Sequence, residues 1–83
     1  MHINTIDEQV QHIMLKYLYD VADDFTCMRL MMELLPIVGE RAGLLVLAES
    51  KTDSLEVSFT NNTTGLLNKF ILANGQVKDK TKE

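Results

Sequence analysis

The stretch IDEQVQHIMLKYLYDVADDFTCMRLMMELL, residues 6–35, decides the fold that we predict for this chain of 83 residues. Apolar side chains recur along it at alternating intervals of four and three residues, the heptad spacing of a helix that packs along its length. This series comprises Met14, Leu18, Val21, Phe25, Met28, Met32 and Leu35. A second apolar line widens its first half and comprises Ile6, Val10, Ile13 and Tyr17.

The pattern predicts one long N-terminal amphipathic helix. Thr5 and Glu8 have the spacing of a capping box, which indicates where the helix begins. The short polar side chains of residues 23–26 disfavour a helix, and either aspartate there is suited to cap a second one. Because the heptad keeps its phase through this segment, we favour a single helix with a kink at 23–26 over a helical hairpin. Pro36 ends or bends the helix, and Ile37–Gly43 is predicted to be a connector.

The middle of the chain predicts a β-hairpin. Residues 55–60 alternate apolar and polar side chains, as a half-buried strand does. The preceding apolar run lies in Gly43–Ser50, and Lys51–Ser54 between the two segments has typical turn residues. We predict that Gly43–Ser50 pairs antiparallel with Leu55–Thr60. The rival interpretation places residues 37–48 in a further helix.

The last third predicts a short C-terminal helix, because Leu66, Leu67, Phe70 and Ile71 have helical spacing and Asn74-Gly75 suits a helix C-cap. The rival interpretation is a second hairpin that turns at Asn74-Gly75. The predicted fold class is therefore α+β, with an all-α helical bundle as the alternative. We expect one small domain over residues 1–77 and a frayed, charged tail over 78–83.

Composition narrows the classes of function. The net charge is −4, from 12 acidic and 8 basic residues, which argues against binding along a phosphate backbone. The N-terminus lacks the basic start and apolar core of a signal peptide, and no apolar run is long enough to cross a membrane. The single cysteine, Cys27, excludes an intramolecular disulfide. We expect a cytoplasmic protein without membrane contact.

The predicted helix is also the predicted interaction surface. Around Met31 it is apolar on nearly every side, and a chain this short has little with which to cover it. Methionine is flexible and suits surfaces that accept partners. The predicted interface residues are Met14, Leu18, Val21, Phe25, Met28, Met31, Met32 and Leu35. The expected partners are a second copy of the chain, in a homodimer or higher homo-oligomer, and another protein.

Few side chains suggest chemistry. Asp20, Asp23 and Asp24 share one face of the predicted helix, as carboxylates that hold Mg²⁺ do, but no second acidic pair faces them. His12 has a place on the polar face between charged residues, and Cys27 has no base beside it to lower its pKa. We expect no catalytic residue, cofactor or metal site. A metal-dependent hydrolase built on the three aspartates is the residual enzyme hypothesis.

The preferred hypothesis is a small regulatory protein that acts by protein–protein binding, as a homo-oligomer through residues 6–35. Regulators, inhibitors and adaptors of bacteria and phages often have this short, acidic, motif-free profile. The alternative is a sensor of a small, nucleotide-like ligand. Its pocket would lie between subunits, where the hairpin meets the methionines, with Tyr17, Tyr19, Arg29 and Arg41 as polar lining.

Overall fold

The computed structural model describes residues 6–82 and has an α+β fold, as the sequence predicts. Helix α1 spans Glu8–Val21, and helix α2 spans residues 24–41 in three consecutive segments, Asp24–Arg29, Leu30–Leu34 and Leu35–Arg41. Four strands follow: β1 Leu44–Ser50, β2 Leu55–Asn61, β3 Leu67–Ala73 and β4 Gln76–Asp79. They form one antiparallel sheet in the order β1-β2-β3-β4.

Helix α1 begins two residues later than the capping box predicts. The N-cap is Asp7, whose Oδ1 accepts a hydrogen bond from the backbone N–H of Val10 at 3.0 Å. An aspartate in this position satisfies a free N–H of the first turn and lies at the positive end of the helix dipole. The predicted cap, Thr5, lies outside the described residues.

The prediction of a single helix over residues 6–35 is wrong. The chain leaves α1 at Ala22, whose backbone is extended, and Asp23 caps the new helix α2. Oδ1 of Asp23 accepts a hydrogen bond from the N–H of Thr26 at 2.7 Å. Since the break takes only two residues, the apolar spacing continues across it, and the heptad gives no sign that the helix direction changes.

Pro36 does not end α2, which was one of its two predicted effects, and the predicted connector is wrong because residues 37–41 are helical. The segment Leu30–Leu34 is π-helical, and the N–H of Leu35 donates to the carbonyl of Leu30, five residues back. The wider turn gives the proline ring room beside the preceding turn. Pro36 then stands in the first turn of Leu35–Arg41, where its missing N–H costs little.

The predicted hairpin of β1 and β2 is confirmed, with a turn in which the N–H of Lys51 donates to the carbonyl of Ser54 at 2.8 Å. The predicted C-terminal helix is wrong, because β3 and β4 form a second hairpin instead. Asn74 and Gly75 at its turn both have positive φ, 54° and 74°. Two successive residues of this kind suit the tight turns that connect antiparallel strands.

Residues 78 and 79, which the sequence analysis assigns to a frayed tail, belong to β4. The pairing extends further, since the N–H of Lys80 donates to the carbonyl of Lys69 at 2.7 Å. The hydroxyl of Thr81 also accepts a hydrogen bond from the N–H of Lys69 at 3.1 Å. The sheet therefore holds the chain almost to the end of the described residues.

Both helices lie on the same face of the sheet, with the core between them. Helix α1 packs over β3 and β4, and α2 packs over β1. The buried side chains form one cluster of Leu15, Cys27, Met31, Leu35, Leu44, Val46, Val57, Phe59, Phe70 and Leu72. The opposite face of the sheet carries no helix among residues 6–82 and is called the open face below.

Candidate interaction surface

One side of α1 is tied to the second hairpin. The carbonyl of Val77 accepts a hydrogen bond from Nε2 of His12 at 3.1 Å, and the His12 ring lies 5.6 Å from that of Phe70. Further along the helix, the hydroxyl of Tyr19 accepts a hydrogen bond from the N–H of Gly75 at 3.4 Å. His12 is thus half-buried and hydrogen-bonded to the backbone of β4. It does not lie on the polar helix face that its sequence neighbours suggest.

The opposite side of α1 carries an exposed apolar row, here called the α1 stripe, of Val10, Ile13, Tyr17 and Val21. Helical spacing turns these residues away from His12 and from the buried Gln11 and Leu15. Ile13, Tyr17 and Val21 are between 61% and 65% exposed, which is high for large apolar side chains. Apart from Val10, the side chains of the α1 stripe therefore have little cover from the described residues.

The structure divides the eight predicted interface residues between core and surface. Met31 and Leu35 are buried in the core, and Met14, Leu18 and Met28 are half-buried. Val21, Phe25 and Met32 are exposed, at 61%, 65% and 49%. The helix break and the π-helical turn rotate successive parts of the heptad series in different directions, so it does not form one continuous face.

A shallow cleft of about 230 Å³ lies on the outer side of α2, between Phe25, Thr26, Leu30 and Leu34 and the ion pair of Arg29 and Glu33. The guanidinium of Arg29 donates to a carboxylate oxygen of Glu33 at 2.9 Å, and both side chains are well exposed. The hydrogen bond from Arg29 lowers the pKa of Glu33. Apolar side chains with a charged rim are typical of protein–protein contact surfaces.

Sequence reasoning missed two exposed leucines on the open face, Leu45 and Leu47 of β1. A continuous apolar run predicts a strand buried on both faces, but only the Leu44 and Val46 face of β1 is covered. The alternation of Leu55–Thr60 indicates a sheet that is buried on one face only, and the same interpretation could have been applied to its partner strand β1. Among the described residues, large exposed hydrophobic side chains outnumber the fully buried ones.

The candidate residues for metal chemistry do not form a site. Asp20 lies in α1, Asp23 is the cap of α2, and Asp24 is in the first turn of α2, so the predicted shared face is interrupted. The hydrogen bond from the N–H of Thr26 lowers the pKa of Asp23. Within residues 6–82, no group of three or more His, Cys, Asp or Glu side chains is placed to hold a metal ion.

The cysteine is buried in the core and faces no base. Burial raises the pKa of the Cys27 thiol, and the carboxylate of Asp24 raises it further. A raised thiol pKa reduces the thiolate that nucleophilic chemistry requires. The position is that of a small apolar core residue.

Two clefts open at opposite ends of the helical layer. The larger, about 550 Å³, lies between the start of α1, the α2–β1 turn and the β2–β3 loop, and Gln11 and Asn68 form its polar floor. The smaller, about 270 Å³, joins Tyr19 and Met28 to the β1–β2 turn. Of the four predicted polar lining residues, only Tyr19 lines either of these clefts.

The fold and surface define a class: a two-helix layer on one face of a four-stranded antiparallel meander, with exposed apolar rows on its helices. Comparison with protein-family models, curated proteins and solved structures gives no match to this chain. Within residues 6–82, no helix combines the length and the hydropathy that a membrane span requires.

Proposed function

We propose that this protein is a small cytoplasmic interaction protein that acts by protein–protein binding, as a homo-oligomer through its helical layer. The contact surface would be the α1 stripe, and Phe25 and Met32 of α2 are further exposed apolar side chains of the helical layer. The observation that carries the proposal is the exposure of these side chains, since a row of half-exposed apolar residues on one helix is typical of a binding surface. The free, buried Cys27 is compatible with a reducing compartment.

The magnitudes are compatible with self-association through these side chains. Burying the exposed half of a large apolar side chain contributes about 1 kcal/mol. Four to six such side chains from each copy would together offset much of the association cost, about 4–15 kcal/mol. A second copy is the proposed occupant because a two-fold contact places the same apolar row on both sides.

The test is the oligomeric state of Tyr17→Asp/Val21→Asp, measured by sedimentation equilibrium beside the wild type. Both positions are exposed, so the variant should keep its helix content by circular dichroism while losing the contact. The matched control is Lys16→Asp, which changes the net charge by the same two units at an exposed position of α1. We expect a smaller particle for the double variant and an unchanged one for the control; equal masses for all three proteins would reject the proposed surface.

A second candidate function, binding of a small ligand, is supported by the cleft of about 550 Å³, which falls in the size range of ligand pockets. Its floor has a fixed amide: Nε2 of Gln11 donates to the carbonyl of Ile6 at 2.8 Å, and Nδ2 of Asn68 donates to Oε1 of Gln11 at 3.0 Å. Thermal denaturation with added nucleotides tests this candidate, since a ligand of the native state raises the melting temperature. No shift at millimolar nucleotide would reject the nucleotide-like ligand.

A further inference from the structure

We propose that the outer edge of β1 pairs antiparallel with β1 of a second copy, about a two-fold axis at Val46, to form one sheet that continues through both chains. The proposal is independent of the helical contact surface. It rests on the direction of the β1 backbone groups, the absence of edge protection and the side chains on the open face.

The hydrogen-bond pattern fixes which groups of β1 face outward. The N–H of Asn62 donates to the carbonyl of Gly43, and that of Lys51 to the carbonyl of Ser54. Both bonds belong to the register of β1 with β2, so the odd-numbered residues of β1 bond to β2. The N–H and C=O groups of Leu44, Val46, Ala48 and Ser50 consequently point away from β2. Among residues 6–82, no strand pairs with this row.

The two edges of the sheet differ in their protection. Strand β4 is short and charged, and its carbonyl at Val77 is occupied by His12 of α1. Strand β1 has seven residues, an unbroken register and no charge, proline or bulge over Leu44–Ala48. Proteins commonly block exposed edges with such features, because an open edge is a template for another strand. Apart from the carbonyl of Leu44, which lies beside Gly39 of α2, the outward groups of β1 are not blocked by any of these features, and the edge suits strand addition.

The side chains select the register. A two-fold axis at Val46 pairs Leu44 with the partner's Ala48 through the outward backbone groups. It also places Leu45 directly opposite the partner's Leu47 on the open face. Leu45 and Leu47 are 50% and 58% exposed, so this pairing joins four leucines into one apolar cluster. An axis at Leu47 would instead oppose Leu45 with a glutamate.

The first test is residue-resolved amide hydrogen exchange at increasing protein concentration. We expect the amides of Leu44, Val46 and Ala48 to become at least tenfold more protected, while that of Ser50, which points outward beyond the paired segment, stays unprotected. The amides of Leu45 and Leu47 serve as internal references because β2 protects them in every state. Unchanged exchange at all three outward amides would overturn the proposal.

The second test is Leu45→Lys/Leu47→Lys, which opposes like charges across the axis without touching the core. The matched control is Leu66→Lys/Leu67→Lys, with the same charge at similarly exposed leucines at the start of β3, two strands away from β1. We expect sedimentation to show a halved particle mass for the edge variant only. An unchanged mass, a monomeric wild type, or an equal loss in the control rejects strand pairing. If Tyr17→Asp/Val21→Asp has half the particle mass of the wild type and the edge variant has the full mass, strand pairing is rejected and the helical contact surface is supported.

Discussion

Gly39 of α2 lies so close to Val46 of β1 that a β-carbon at position 39 would overlap the Cγ2 methyl of the valine. The same β-carbon would lie 3.4 Å from the carbonyl oxygen of Leu44, so the backbone also limits movement. Gly39 is buried in the turn of α2 that covers β1. The glycine therefore sets the distance between the helix and the edge strand, and through it the shape of the core at that end.

We predict that Gly39→Ala destabilises the fold, although alanine is the better helix former. Overpacking of this kind costs about 1–3 kcal/mol of the free energy of unfolding. Urea denaturation followed by circular dichroism measures the change. Ala42→Gly, at the half-buried end of α2, is the reference variant. It measures the effect of exchanging alanine and glycine where no clash is involved. A Gly39→Ala protein as stable as the wild type would show that the helix can move away from Val46 freely.

The buried amide of Gln11 gives a second prediction. Removing its donor with Asn68→Ala leaves Oε1 of Gln11 without a partner in the core, which costs about 1–3 kcal/mol. Asn62→Ala, at an exposed position, should change the denaturation midpoint little. The double variant Gln11→Leu/Asn68→Leu removes both polar groups and should recover part of the loss. A double variant less stable than Asn68→Ala would contradict this account.

The cap of α2 gives a prediction about pH. Hydrogen bonding to Thr26 lowers the pKa of Asp23 below its unfolded value, so the ionised carboxylate stabilises the fold above the unfolded pKa. This stability is lost as the pH falls through the lower, folded pKa. Asp23→Ala should therefore lower the melting temperature at pH 7 and lower it less at pH 2. Asp20→Ala, also exposed but not a cap, should show a smaller difference between the two pH values.

The second hairpin depends on a left-handed turn. Gly75 has φ of 74°, a conformation that costs an L-residue with a β-carbon about 1–2 kcal/mol. Gly75→Ala should lower the free energy of unfolding by about that amount, as measured by urea denaturation. Gln76→Ala at the neighbouring exposed position should have a smaller effect. Equal stability of Gly75→Ala and the wild type would indicate that the turn can change type without cost.

Several elements follow from local signals. The alternation of Leu55–Thr60 predicts its strand, because a one-sided sheet requires a period of two. The apolar periodicity of α1 predicts a helix, and its exposed row contains three residues of the second apolar line. Local signals fail where two structures share them: Asn74-Gly75 suits both a helix C-cap and a hairpin, and only the pairing of β3 with β2 distinguishes the two.

The candidate surface was predictable in part. Val21, Phe25 and Met32 are exposed members of the predicted interface, whereas Met31 and Leu35 of the same set are core residues. The apolar series alone does not separate its exposed members from its buried members, because the two-residue break at Ala22 and Asp23 and the π-helical turn rotate the helix faces. The β1 segment itself carries no signal that Leu45 and Leu47 are exposed, since a fully buried strand has the same composition; the only indication is the alternation in its partner strand, Leu55–Thr60.

The sequence by itself determined the α+β class, the first hairpin and the helical character of the first half of the chain, because periodicity and turn residues act over a few neighbours. The tertiary structure decided the rest. Capping by Asp23 divides the long helix, the wide turn before Pro36 allows α2 to continue, and the antiparallel partner β2 draws residues 67–73 into the sheet. The pairing with β2 depends on contacts between segments, whereas the cap and the wide turn depend on the hydrogen bonds that Thr26 donates to Asp23 and Leu35 donates to Leu30. Apolar spacing along one segment encodes neither kind of contact.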